Sequence, residues 1–331
     1  MKNAEYVRDK VVLDVGTGTG ILAIWAAKAG AKKVYAVEYT DMAKYAERLV
    51  KANKVENIVT VIKTSVEELE LPEKVDIIVS EWMGYFLLRE SMLDSVLVAR
   101  DNHLKEDGIM MPSHATMYLA PITYEEDRST KYQEYMSSMH EWYDFQGEMQ
   151  QDYGVTVDCL TADFEKEQRH YFMLTGLWSE LQPEHVRGTP QVVKHLDLRT
   201  CSLEDVKGVD MTPFAFNDLN PAGPGEPARI SGFAGWFTTD FVVPGCEDIA
   251  EDGGVVVLDT SPAGGYTHWG QQVFYLPSAL DVANGQGLSG EIRMMRQKEN
   301  KRLYNVGMKF AVHAGDAPSF SGGEETVWEL P

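Results

Sequence analysis

Hydrophobic positions in the first third of the chain switch repeatedly between two periods. KVVLDV (10–15) is a short apolar run of strand type, and GTGTG (16–20) follows it as a turn. ILAIWAAKAGA (21–31) is Ala-rich and closes on Gly30, which predicts a helix. KVYAVE (33–38) predicts a second strand, and DMAKYAERLVKAN (41–53) a second helix, with Met42, Tyr45, Leu49 and Ala52 near helical spacing. IVTVIK (58–63) and KVDIIVSE (74–81) read as strands, MLDSVLVARDNHL (92–104) as a helix. Such alternation predicts a parallel sheet covered on both faces.

The pattern changes after Pro112. HATMYLAPI (114–122) alternates like a half-buried strand, and residues 123–186 are polar, aromatic and helix-like. From Val192 onward, short strands recur between Gly and Pro: VVKHLDL, ARISGFAGWFTTDFVV, GGVVVLDT, QQVFYLP, GEIRMMRQ and LYNVGMKFAV. This predicts an antiparallel sandwich or barrel. MTPFAFNDLNPAGPGEPA (211–228) reads as a surface loop, and Met110, Met111, Met294 and Met295 as core filler. The expected organisation is an α/β domain over 1–112 and a β domain over 113–331, the latter carrying an inserted arm at about 123–190.

Composition narrows the class. No apolar run reaches the ~18 residues of a membrane span, and MKNAEYVRDK has no secretory apolar region. Cys159, Cys201 and Cys246 are odd in number and scattered, which fits reduced thiols of cytosol or nucleus and offers no zinc site. A net charge of −21 repels nucleic acid and favours basic partners.

Two stretches carry candidate chemistry. In VVLDVGTGTG, Asp14 closes the first strand before Gly16, Gly18 and Gly20; glycines admit a ligand close to the backbone, and the helix after them presents free N–H groups. Ile21 stands where a dinucleotide fingerprint would place a third glycine. Glu38 ends the second strand, where a carboxylate can accept both ribose hydroxyls, so the pair of features points to an adenosine-containing ligand. Asp14 is adverse to a pyrophosphate and suits a ligand with a positive amino group, such as S-adenosylmethionine. In SEWMGYFLLRESM (80–92), Glu81 and Glu90 bracket an apolar loop, which raises the question of the cation they pair with.

VVLDVGTGTGILAIWAAKAGAKKVYAVE, VEELELPEKVDIIVSEWMGYFLLRESML and YTHWGQQVF (266–274), together and in this order, resemble the type I protein arginine N-methyltransferases from about Asp9 to the C-terminus. The long arm looks most like the plant-type branch numbered ten in that family. The resemblance implies a Rossmann-like class I S-adenosylmethionine-dependent methyltransferase domain followed by a β-barrel or sandwich, with the arm making a homodimer. It implies that Glu81 and Glu90 clamp the substrate guanidinium, a planar cation that matches carboxylates bidentately. Asp14, Gly16 and Gly18 would line the methionine part of the cofactor, Glu38 its ribose, and Glu67 with the Val66 backbone its adenine. His268 and Trp269 would come from the β domain to wall the arginine pocket, and Met92 would shape it; the proton would pass to Glu90 or through a relay at His268. Taken alone, Val66–Glu68 also reads as a solvated turn, and Thr267–Trp269 as a packed core element. Expected substrates are histone tails and Gly/Arg-rich segments, giving monomethyl- and asymmetric dimethylarginine. No direct nucleic-acid or membrane binding is expected.

Family members carry a helical segment before the first strand that folds over the cofactor, and nothing in MKNAEYVRDK matches it. Weak cofactor binding, and slow turnover or none at all, are therefore expected of the chain as it stands. Two other readings are a catalytically impaired dimeric scaffold, and a methyltransferase of the same fold acting on another substrate.

Overall fold

The computed structural model describes residues 4–219, 227–243, 255–314 and 325–331. After a helical turn α1 (Ala4–Val7), β1 (Val11–Val15), β2 (Lys33–Glu38), β3 (Val59–Lys63) and β4 (Val75–Val79) alternate with α2 (Ile21–Lys28) and α3 (Ala43–Ala52). Helix α4 (Leu93–His103) then leads into β5 (Leu104–Met111). The sheet is parallel, in the order β3-β2-β1-β4-β5. Val12, Val34, Ala36, Val59 and Ile77 of adjacent strands close on Ala23, Ile24 and Ala27 of α2 and Val50 of α3. Continuous apolar strands are what a sheet covered on both faces requires.

Two sequence expectations fail here for physical reasons. Helix α3 turns Ala43, Ala46 and Val50 inward, while Met42, Tyr45 and Leu49 are exposed. The apolar stripe seen in the sequence is the outer face, since small residues are what the close approach to the sheet admits. Strand β5 was missed because LKEDGIMM carries charge through its middle. It pairs Leu104 with Val75 and Ile109 with Ile77, and a register shift absorbs the polar residues between.

The rest of the chain gives α5 (Glu125–Tyr153) and α6 (Thr161–Met173), both inside the expected arm. They pack on each other: Trp142 stacks on Phe164 at 4.4 Å and donates to Thr161 Oγ1 at 3.1 Å. Ser138 Oγ donates to Gln168 Oε1 at 2.8 Å. The strands are β6 (His114–Ile122), β7 (Leu177–Ser179), β8 (Gln191–Asp197), β9 (Gly208–Phe216), β10 (Ala228–Phe241), β11 (Val256–Asp259), β12 (Gln271–Val282), β13 (Gln286–Arg296), β14 (Tyr304–Ala314) and β15 (Thr326–Leu330). They form one sheet in the order β7-β12-β10-β6-β8, with β11 on β10, and another in the order β15-β14-β13-β9. Phe233, Phe274 and Trp328 fill the interior, and Trp328 Nε1 donates to Tyr275 O at 3.0 Å.

Residues 211–216 of the expected loop belong to β9, where Phe214 and Phe216 are buried and Gly290 pairs with Phe214. Its centre, 220–226, lies outside the described residues. Met110 and Met294 are core, but Met295 is 45% exposed, because neighbours on a strand face opposite sides. Compactness divides the chain into one unit of Met1–Thr116, His195–Lys207 and Phe237–Asp259, and a second of Met117–Lys194, Gly208–Trp236 and Thr260–Pro331. The division falls inside β6, inside β8 and inside β10. Among the described residues no helix is long and apolar enough to cross a membrane.

Candidate functional site

In an open parallel sheet, ligands bind beyond the carboxyl ends of the strands where the order reverses. Here that point lies between β1 and β4, since the chain runs outward from β1 to β2 and β3, then crosses to β4 and β5. Ser80, after β4, donates its hydroxyl to Val15 O at 2.7 Å and so joins the two strand ends.

The first turn at this place is built around buried acid. Asp14 is 1% exposed, and its Oδ2 accepts from the Thr17 hydroxyl and from Ala23 N–H in the first turn of α2. Its Oδ1 is buried with no protein partner. Burial pushes the Asp14 carboxyl up to about 6, against the pull of the Thr17 and Ala23 hydrogen bonds, and the nearby Glu38 charge adds to the rise. Gly16 (φ 70°) and Gly18 (φ 56°) take left-handed conformations that side chains disfavour. A Cβ at Gly16 would lie 2.1 Å from Met92 Cε, whereas one at Gly18 would meet open space. An unpartnered acid oxygen below an open glycine turn fits a ligand with a cationic donor.

Glu38 closes β2 beside it. Its Oε2 accepts from Gly18 N–H at 2.9 Å, and its Oε1 accepts from Thr40 N–H at 2.8 Å and Thr40 Oγ1 at 2.6 Å. Burial raises this carboxyl, but those three hydrogen bonds outweigh it and hold it below the ordinary glutamate value. A carboxylate offers about four acceptor sites, so Oε2 keeps room for a hydroxyl, while at Oε1 the Thr40 hydroxyl would have to yield. Thr40 was not singled out in the sequence; its place two residues after the acid was the available signal. Val66 is buried at the head of a 3-10 turn (Val66–Glu68), and the exposed Glu67 accepts from Ser95 Oγ at 2.7 Å.

The second turn follows β4. Trp82, Phe86, Leu87 and Leu88 are buried and anchor the loop, while Glu81 and Glu90 are exposed. Phe86 (φ 46°), Leu87 (φ 65°), Glu90 (φ 80°) and Ser91 (φ 58°) all occupy the left-handed region. Each such residue costs roughly 1–3 kcal/mol, and clusters of them mark functional turns. Gly84 is obligatory, since a Cβ there would lie 1.8 Å from Arg89 O. Arg89 reaches Glu90 Oε1 at 3.3 Å and lies 5.4 Å from the Tyr85 ring centre. Neither Arg89 nor Tyr85 was predicted as a site residue.

The second unit holds the remaining candidates. Trp269 is 9% exposed and packs against the exposed His268 ring at 3.8 Å between centres. Trp178 Nε1 donates to His268 O at 3.1 Å, fixing the backbone of the turn before β12. The Thr267 hydroxyl is buried without a partner. So one unit carries Asp14, Gly16, Gly18, Glu38, Val66, Glu67, Glu81, Glu90 and Met92, and the other carries His268 and Trp269. Among the described residues no cluster of three or more His, Cys, Asp or Glu side chains could hold a metal ion.

The arginine methyltransferase oligomerization subdomain matches residues 113–315, and the ribosomal protein L11 methyltransferase family matches residues 3–120. Protein arginine N-methyltransferase PRMT10 of Arabidopsis thaliana is 46% identical over 307 residues, covering 92% of this chain and 77% of the relative. The japonica rice PRMT10 is 44% identical, covering 94% and 80%. The crystal structure of the Arabidopsis enzyme, described as a uniquely open conformation, has a TM-score of 0.90 at 41% identity and covers 100% of this chain and 92% of that one. The Trypanosoma brucei PRMT1 enzyme–prozyme heterotetramer with AdoHcy gives 0.76 at 30% identity, covering 100% and 92%. With two acid-bearing turns at one strand-order reversal and matches along nearly its whole length, the chain belongs to the protein arginine N-methyltransferase family.

Proposed function

We propose that this arginine N-methyltransferase uses S-adenosylmethionine and is of type I, forming monomethyl- and then asymmetric dimethylarginine in basic segments of proteins such as histone tails and Gly/Arg-rich regions. The observation that carries the proposal is the adjacency of two different acid turns beyond the β1 and β4 ends. One has a buried, unpartnered carboxylate oxygen under open glycine; the other presents exposed glutamates. Asp14, Gly16 and Gly18 would hold the methionine part, Glu38 the ribose, and Val66 with Glu67 the adenine edge. When bound, this cofactor supplies an electrophilic methyl group on a sulfonium. Glu81 and Glu90 would hold the guanidinium through paired charge-assisted hydrogen bonds and localise its charge away from one terminal nitrogen, leaving that nitrogen's lone pair for attack. Met92 packs over Gly16 and would limit the shape of that nitrogen's surroundings. His268 as a proton relay and Trp269 as a substrate contact enter through their motif alone. The cysteines described, Cys159 and Cys201, are free, which supports a reducing compartment.

Dimerisation belongs to the same reading. The occupant of the exposed α2 and α3 face (Ile21, Trp25, Met42, Tyr45 and Leu49) is the arm of a second copy. The arm exposes Tyr132, Met136, Tyr143 and Phe145, and its Glu141, Asp144 and Glu148 complement Lys44, Arg48 and Lys51 of α3.

Mass spectrometry of a glycine–arginine-rich peptide after incubation with the cofactor tests the activity. Asymmetric dimethylarginine is expected; symmetric dimethylarginine would contradict the type assignment. Sedimentation tests the dimer: deletion of about residues 130–185 should leave a monomer, and a persisting dimer would refute the arm.

A further inference from the structure

The double-glutamate turn already contains a guanidinium. Arg89 Nη1 lies 3.3 Å from Glu90 Oε1, and its Cζ lies 5.4 Å from the centre of the Tyr85 ring. Its side chain is only 22% exposed, against 48% for Glu90, so the arginine is packed into the turn while its partner faces solvent. The backbone holds it there: Arg89 N–H donates to Tyr85 O at 3.3 Å, and the left-handed conformations of Glu90 and Ser91 turn the chain directly after it. A carboxylate on one side and an aromatic face on the other is the environment a guanidinium selects.

We propose that Arg89 is an internal competitor for the substrate arginine, a specificity-determining residue that occupies Glu90 until an incoming guanidinium exchanges with it. This rests on the reading that Glu90 binds substrate. The physical consequences are separable. The pair joins a packed arginine to a half-exposed carboxylate, so the cost of exchanging it appears in peptide binding. The Arg89 charge also repels an approaching cation, and that repulsion is screened by salt. The cofactor site is untouched, because Asp14 and Glu38 make their hydrogen bonds to other residues. The rate of the step after exchange is likewise unaffected.

The test uses the full chain, S-adenosylmethionine and a glycine-rich peptide with a single arginine, comparing wild type, Arg89→Gln and Glu90→Gln. Arg89→Gln should lower the peptide KM about two- to five-fold at low ionic strength, leave kcat and cofactor affinity unchanged, and lose most of its advantage at 0.5 M salt, roughly a 4 Å screening length. Calorimetric Kd values for the same peptide, in the presence of S-adenosylhomocysteine, should show the same order at any turnover rate. An unchanged or raised KM and Kd in Arg89→Gln, with Glu90→Gln inactive, would overturn the competition and leave the clamp standing. Normal turnover by Glu90→Gln would remove the clamp, and the competition with it.

Discussion

The turn after β1 and the turn after β4 stand side by side at the same sheet reversal yet are built in opposite ways. The first reaches left-handed backbone with glycines and buries its acids: Asp14 is 1% exposed and Glu38 8%. The second forces Phe86, Leu87, Glu90 and Ser91 into the same backbone region and leaves its acids in solvent. Glycines relieve the strain of the first turn, and Gly18 leaves open space, which suits the small ligand proposed for it. Packed aromatic and aliphatic anchors instead hold strain in the second turn and leave two carboxylates exposed, which suits the peptide arginine proposed for them.

The largest expected effect falls on the second turn. Glu81→Gln and Glu90→Gln should each reduce arginine methylation by hundreds-fold or more: the two acids are exposed in the free protein, but the bound peptide would take the charge pairs out of water, and loss of one partner of a pair desolvated in that way costs ~3–5 kcal/mol. Steady-state kinetics with a basic peptide checks this, and near-normal turnover in either variant would break the division of labour between the turns.

A smaller effect, on stability, belongs to the first turn. The Asp14 carboxyl is raised from 3.8 to about 6, chiefly by burial, so the folded state binds the proton more tightly than the unfolded chain does. Its contribution to stability is therefore full below pH ~4 and is lost as the pH rises through about 6. Asp14→Asn removes that loss and should stabilise the ligand-free protein at pH 7 by up to about 3 kcal/mol, with no gain at pH 3.5. Denaturant unfolding at the two pH values measures the difference; an equal change at both would show that folding does not raise the Asp14 carboxyl.

The smallest effects compare the backbones directly. Gly18→Ala adds a Cβ into open space at φ 56° and should cost about 1 kcal/mol from backbone strain alone. Ser91→Val places a β-branched residue at φ 58° and should cost more, roughly 1–2 kcal/mol. Thermal unfolding orders the two, and a neutral Ser91→Val would show that the second turn is not over-determined.

The sequence made the first turn legible and left the second half-read. Glycine spacing and the acid at the end of β2 were enough to name an adenosine ligand, because those features are local. The glutamates stand out in the sequence, but the role of the apolar residues between them does not. Burial depends on what the loop packs against, and Trp82 and Phe86 face inward. The same reason reversed the face of α3, where alanines approach the sheet and the larger residues point out. Strands β5, β7 and β15 were missed because LKEDGIMM carries charge and the other two are short, so that pairing with neighbours, not propensity, makes them strands.

The most direct test of the two-turn account is a calorimetric titration of S-adenosylhomocysteine into wild type, Glu38→Gln and Glu90→Gln. The account predicts a loss of about ten- to a hundred-fold in affinity for Glu38→Gln, the worth of a charge-assisted hydrogen bond, and wild-type affinity for Glu90→Gln. Equal losses in both variants, or a loss in Glu90→Gln alone, would contradict it.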